Sequence, residues 1–216
     1  MQLCPIRMEE KASNRMSTAT KKGLEKYLKR TSDPLIVTPI LSPRQIGEAS
    51  LDVRLGNQFI VFRTYKFGIF EPMGVSAKFE PRKIQERQII PFGGQLVLHP
   101  GVLVLACTFE YLSMPGDLEC QVEGRSSWAR LGLQVATANS IEPGFKGVIT
   151  LELSNVGTVP LTLVPGIRIA QLVLRTAVPK LKNPYLGNRK YRCPIGPEFS
   201  RLHEDYDWNI FSNPTQ

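Results

Sequence analysis

Four Pro-Gly pairs, at 100–101, 115–116, 143–144 and 165–166, cut the centre of this chain into short apolar strings. Between and around them stand SLDVRLGNQFIVF, QLVLHPGVLVLACTF, LECQVEG, GVITLELSNVG and LTLVPGIRIAQLVL, rich in Val, Ile, Leu and Phe. Proline presets φ for the first corner of a turn and glycine accepts the positive φ of the second, so each pair favours a reversal. Asn155-Val156-Gly157 is a further turn signal. Many short strands joined by tight turns, with no βαβ rhythm, predict a mainly β protein built as an antiparallel sandwich or barrel. One segment departs from this pattern: Ser127-Trp128-Ala129-Arg130-Leu131-Gly132 reads as a single helical turn stopped by glycine.

The flanks have a different character. Ser17 or Thr18 can cap a short helix through about Arg30, in which Leu24, Tyr27 and Leu28 make one apolar stripe. The residues before Met16 show no periodicity, and Met16 would also serve as a start. Residues 64–91 are mixed and charged and read as a long excursion between strands. Beyond Pro179 the strand pattern gives way to a Pro, Gly, Arg and Lys-rich tail with interleaved aromatic residues, composed to dock on something. The expected organisation is a basic N-terminal extension with a short helix over 1–33, a β-barrel over 34–178 and a C-terminal lid segment over 179–216.

With 216 residues, 42% of them hydrophobic, the chain can bury a core of its own. Its net charge of +8 is not spread evenly. Residues 1–31 carry eight basic and three acidic side chains, 175–216 seven and four, and the stretch between twelve of each. A bulk positive charge raises the question of nucleic acid, but no recognition-helix or aromatic-platform motif accompanies it, and nucleic acid is not the expected partner. No apolar run approaches the roughly 18 residues of a membrane helix, and MQLCPIRMEEKASNR lacks the apolar stretch and cleavage site of a signal peptide. A cytoplasmic protein without membrane attachment is expected. Cys4, Cys107, Cys120 and Cys193 lie far apart, and His99 and His203 are the only histidines. That spacing makes neither a disulfide framework nor a zinc site, so no metal-ligating residues are assigned.

Two places could carry chemistry. Gly124-Arg125-Ser126-Ser127 follows a strand and precedes the helical turn, bringing two hydroxyls, a guanidinium and backbone N–H groups together as a cradle for phosphate oxygens, although Gly-x-Ser-Ser is also common loop sequence. In Val148-Ile149-Thr150-Leu151-Glu152-Leu153-Ser154, period-two alternation sends Ile149, Leu151 and Leu153 to one face and Thr150, Glu152 and Ser154 to the other. Glu152 is then a solvated surface acid, or, if that face lines a pocket, a functional one. Glu142 stands in the turn before this strand, and Arg130 follows Arg125 by five residues.

These residues also carry a resemblance. GRSSWARLGL at 124–133, IEPGFKGVITLELSN at 141–155 and PGIRIAQL at 165–172 together resemble the dCTP deaminase branch of the dUTPase superfamily. Ala49-Ser-Leu-Asp-Val-Arg-Leu-Gly56 is similar to an early strand motif of that family, and Arg189-Lys-Tyr191 through Gly196-Pro-Glu-Phe-Ser-Arg201 to the deaminases' C-terminal segment. The resemblance covers roughly residues 34–205.

The resemblance implies a distorted antiparallel β-barrel of the dUTPase-like, β-clip type. It implies a homotrimer with active sites at subunit interfaces and a C-terminal segment folding over bound nucleotide. By the same analogy Arg125, Ser126 and Ser127 hold the triphosphate, with Gln171 near it and Lys190 and Tyr185 supplied by the tail. Glu142 takes the place that contacts the deoxyribose 3′-hydroxyl. Glu152 is the general acid/base, and Ser126 and Arg130 help to place the attacking water. Mg²⁺ enters on the phosphates, and no zinc is called for.

The implied reaction is hydrolysis of dCTP to dUTP and ammonia. A bifunctional enzyme that goes on to dUMP, a plain dUTP diphosphatase and a non-catalytic nucleotide-binding trimer are the alternatives, since Arg168-Ile-Ala-Gln-Leu172 is as much dUTPase-like as deaminase-like. Zinc-free deamination must shuttle protons through a positioned carboxylate. Burial should raise the pKa of Glu152, whereas Arg130 nearby should lower it. The chain also departs from the family: Gln134 to Ser140 is one residue short and lacks a histidine, an expected Asp is Glu142, and a tail glutamine is Pro194.

Overall fold

The computed structural model describes residues 17–63, 81–136, 140–177 and 190–207. Among them run α1 (Lys21–Leu28), β1 (Ile36–Thr38), β2 (Leu51–Arg54), β3 (Gln58–Phe62), β4 (Gln85–Ile89), β5 (Leu96–Leu98), β6 (Leu103–Cys107) and β7 (Tyr111–Ser113). There follow β8 (Leu118–Gly124), α2 (Ser126–Ala129), β9 (Leu133–Ala136), β10 (Ser140–Ile141), β11 (Lys146–Gly147), β12 (Thr150–Asn155), β13 (Leu161–Leu163) and β14 (Arg168–Thr176).

Every ladder between these strands is antiparallel, as tight turns between short strands require. The strands form sheets in the orders β10-β8-β14-β2, β4-β3-β6-β12-β9, β1-β7-β11 and β13-β5. The wall is thus a set of distorted sheets around one core rather than a single closed ladder. Alternation decides what enters that core: in β2, Leu51 and Val53 are fully buried while Asp52 and Arg54 face outward. In β12, Leu151 and Leu153 are fully buried and Thr150, Glu152 and Ser154 lie on the other face, as the period-two pattern predicts. Phe59, Val104, Ala106, Leu172 and Leu174 complete the centre.

The N-terminal helix starts later than its sequence suggests. Thr20 is its N-cap, not Ser17 or Thr18, because those residues lie along the end of β14: Thr18 bridges Arg175, and the Ala19 N–H donates to the Leu174 carbonyl at 2.8 Å. The stripe then does what amphipathic spacing dictates, with Leu24 fully buried and Tyr27 nearly so. Burying Leu24 is worth about 2 kcal/mol. Arg30 sits 3.7 Å above the Tyr27 ring and donates to both Asp117 oxygens at 2.9 Å, clamping the helix to the start of β8.

The expected excursion over 64–91 is corrected at its end. Residues 64–80 lie outside the described residues, but Gln85–Ile89 is an edge strand paired with β3 from Phe62 to Gln58. QERQI has no apolar alternation because all but Gln85 are exposed, so its ladder, not its side chains, makes the strand.

Residues 190–207 dock on the body without adding a strand. The Val148 N–H donates to the Pro194 carbonyl at 2.8 Å, and Arg87 donates to the Pro197 carbonyl at 3.1 Å. Phe199 lies beneath the guanidinium groups of Arg82 and Arg87. Gly147, at φ +139°, lets this happen: a Cβ there would stand 2.8 Å from the Pro194 nitrogen. Among the described residues no helix is long and apolar enough to cross a membrane.

Candidate functional site

Two neighbouring regions hold the candidate residues. The first is the end of the β10-β8-β14-β2 sheet. Strand β8 ends at Gly124, Arg125 caps α2 in an extended conformation, and Ser126 and Ser127 open the helical turn, both exposed. The turn is fixed from below. The Trp128 indole N–H donates to the Arg168 carbonyl at 3.0 Å, and Gly132, at φ +95°, ends it where a Cβ would come within 2.8 Å of the Gly157 backbone. Asn155, fully buried, holds that second loop by donating to the Leu98 and Val159 carbonyls and accepting from the Gly157 N–H.

Beside the cradle, Gln171 on β14 pairs with Glu123 on β8 and Asp52 on β2, so the three residues lie abreast across the sheet. Asp52 accepts from Arg125 and from Arg168, each at 2.9 Å and on the same oxygen. One carboxylate therefore sits between two guanidinium groups. Next along the edge, Arg54 is tied to Glu110, which is fully buried and accepts from the Arg54 N–H at 2.7 Å, from its guanidinium at 3.3 Å and from Gln45 at 2.9 Å. Burial pushes the Glu110 carboxyl above the usual carboxylate range, against the pull of these donors.

The second region is the outer face of β12. Glu152 lies between Leu105 of β6 and Ala136 of β9, half-buried, and burial alone raises its pKa. The lowering that Arg130 was expected to exert is not among the causes, because Arg130 is exposed beyond the far end of β9. Among the described residues no hydrogen bond or ion pair joins Glu152 to Ser126 or Arg130 within the protomer. Glu142 follows β10, and its carbonyl accepts from the Phe145 N–H at 3.2 Å in the turn before β11.

Lys190 lies in the docked tail, ion-paired with Asp205. Tyr185 and residues 137–139 of the shortened loop lie outside the described residues. Among the described residues no three His, Cys, Asp or Glu side chains gather as a metal cage. Sequence reasoning passed over Asp52, Arg54 and Arg168 as individual site residues. All three stand in motifs that were read, and β2 alternation already puts Asp52 and Arg54 on the outer face.

The fold and this edge define an antiparallel β protein with a cradle of guanidinium and hydroxyl groups suited to phosphate. The chain belongs to the dCTP deaminase-like family, whose model matches residues 20–177. It is 36% identical over 196 residues to the "dCTP deaminase, dUMP-forming" of Methanobrevibacter smithii, covering 89% of this chain and 98% of that protein. It is 40% identical over 178 residues to the dCTP deaminase of Haloarcula marismortui, covering 81% and 90%. The crystal structure of the 2'-deoxycytidine 5'-triphosphate deaminase from Agrobacterium tumefaciens is similar in fold, with a TM-score of 0.56 at 23% identity, covering 75% of this chain and 49% of that one.

Proposed function

We propose that this protein deaminates dCTP hydrolytically, giving dUTP and ammonia for pyrimidine deoxynucleotide synthesis in the cytoplasm. The observation that carries this reading is Glu152: a half-buried carboxyl on the polar face of a core strand, its pKa raised by burial, is suited to take a proton from water and hand it to a leaving amine. In this reading Arg125, Ser126 and Ser127 hold the triphosphate with Gln171 beside them, and Glu142 contacts the 3′-hydroxyl. Ser126 and Arg130 orient the water. Lys190 and Tyr185 close over the phosphates, which requires Lys190 to exchange Asp205 for the nucleotide.

Among the described residues Glu152 makes no hydrogen bond or ion pair to Ser126 or Arg130 within one protomer, which favours a homotrimer in which each site takes its carboxylate and its cradle from different subunits. Mg²⁺ is carried by the phosphate oxygens, where it offsets part of their charge. The test is incubation with dCTP, dUTP, CTP and Mg²⁺ followed by chromatography. Conversion of dCTP to dUTP, abolished in Glu152→Gln, is expected, and turnover by Glu152→Gln at the wild-type rate would overturn the mechanism.

A second reading is favoured by the name of the Methanobrevibacter smithii relative, which is dUMP-forming. Here Glu142 also activates a water for attack on the phosphates. Release of pyrophosphate with dUMP from dCTP would establish it, and accumulation of dUTP alone would exclude it.

A further inference from the structure

Beyond Arg168, the edge of the sheet opens into a cleft of about 220 Å³ lined by Ser42, Arg44, Gln45, Arg54 and Arg168. Nothing in the catalytic reading uses it. Its charge does not cancel: Arg54 is balanced by Glu110, and Arg168 shares Asp52 with Arg125. Arg44 is exposed and forms no ion pair among the described residues. Four guanidinium groups thus face two carboxylates, and three of the four line one concavity.

The floor of the cleft is rigid. Ser42 and Gln45 close a capping box around the short turn that carries Arg44, and Gln45 is anchored to Glu110. β8, β14 and β2 are adjacent, and Arg168, which lines the cleft, donates to the same Asp52 oxygen as Arg125, so the cleft adjoins the Arg125 cradle. Guanidinium forks match phosphate oxygens, and a shared rim makes the two sites continuous.

We propose that Arg44, Arg54 and Arg168 form a phosphate subsite that receives the terminal phosphate of the nucleotide whose inner phosphates rest on Arg125, Ser126 and Ser127. This rests on the proposed use of a nucleoside triphosphate, and it makes the cleft the element that tells a triphosphate from a monophosphate. Arg44 is the residue to change, since its side chain carries none of the buried pairing that holds Arg54.

The test is calorimetric titration of the Glu152→Gln protein, with and without Arg44→Gln, using dCTP, dCMP and inorganic tripolyphosphate as ligands. Loss of a charge-assisted contact should weaken dCTP and tripolyphosphate about tenfold and leave dCMP unchanged. Equal binding of dCTP by both proteins overturns the proposal, even if tripolyphosphate weakens, because the cleft would then take only free anions. An equal loss for all three ligands also overturns it, as a general effect on the protein. Failure of the parent reading is separate: it shows as absence of dCTP turnover by the wild-type enzyme, while the tripolyphosphate titration still reports on the cleft.

Discussion

Glu152 shows how far one residue's surroundings set its chemistry. Strand periodicity places its side chain outward, yet the neighbouring strands β6 and β9 cover enough of it to disfavour the charged form. A general base must be ionised to accept a proton, so activity should rise with pH through the Glu152 pKa. The expected result is an acid limb of the kcat/KM profile above the ordinary glutamate value of 4.5. A limb at the ordinary value would remove Glu152 from the role of base. Alternation along β12 was legible in the sequence. What covers its outer face was not, because Leu105 and Ala136 arrive from strands distant in the chain. Asp52 was hidden for the same reason: its two arginine partners come from β14 and the end of β8, and no local pattern announces a carboxylate shared across three strands.

At the scale of elements, the proposed phosphate cradle rests on a turn held by a contact between two glycines. Gly132 ends α2 at φ +95° with its Cα edge against Gly157, and the Val156 N–H donates to the Gly132 carbonyl at 2.9 Å. Alanine at 132 would take a strained conformation, costing about 1–3 kcal/mol, and would also strike the Gly157 backbone. Gly132→Ala should therefore lower the melting temperature and weaken dCTP binding together, as read by thermal unfolding with and without nucleotide. Unchanged affinity in a folded Gly132→Ala protein would mean that α2 is not held from this side. The helical turn and its glycine stop were legible; the loop it leans on was read only as a turn. Strand β4 was not legible, since its exposed polar residues make it a strand through backbone pairing alone. The start of α1 was misplaced because Thr18 and Ala19 are drawn to β14, a tertiary preference that no capping rule contains.

For the whole molecule, the core's depth has a measurable chemical signature. Cys107 and Cys120 lie within it, and burial pushes their thiols up to about 11 and about 12, while Cys193 is exposed in the tail. A thiol reagent such as DTNB at neutral pH should modify Cys193 in the native protein and reach Cys107 and Cys120 only after denaturation. Rapid native labelling of either buried thiol would show that the sheets part readily. The Pro-Gly punctuation made the antiparallel class readable, and the quoted motifs made the family readable. The division into separate sheets was not, because which strand adopts which neighbour depends on ladders such as β6-β12 that join segments far apart in sequence.

Asp52 gives the arginine-lined edge a last property. Because it lies between Arg125 and Arg168, this edge carries an anion of its own, and both arginines are tied to it. On the proposed function, a nucleotide phosphate joins an existing charge lattice rather than organising loose cations. Selectivity in that reading is a contest between a fixed carboxylate and a mobile phosphate for the same guanidinium groups, decided by how many phosphates the nucleotide brings.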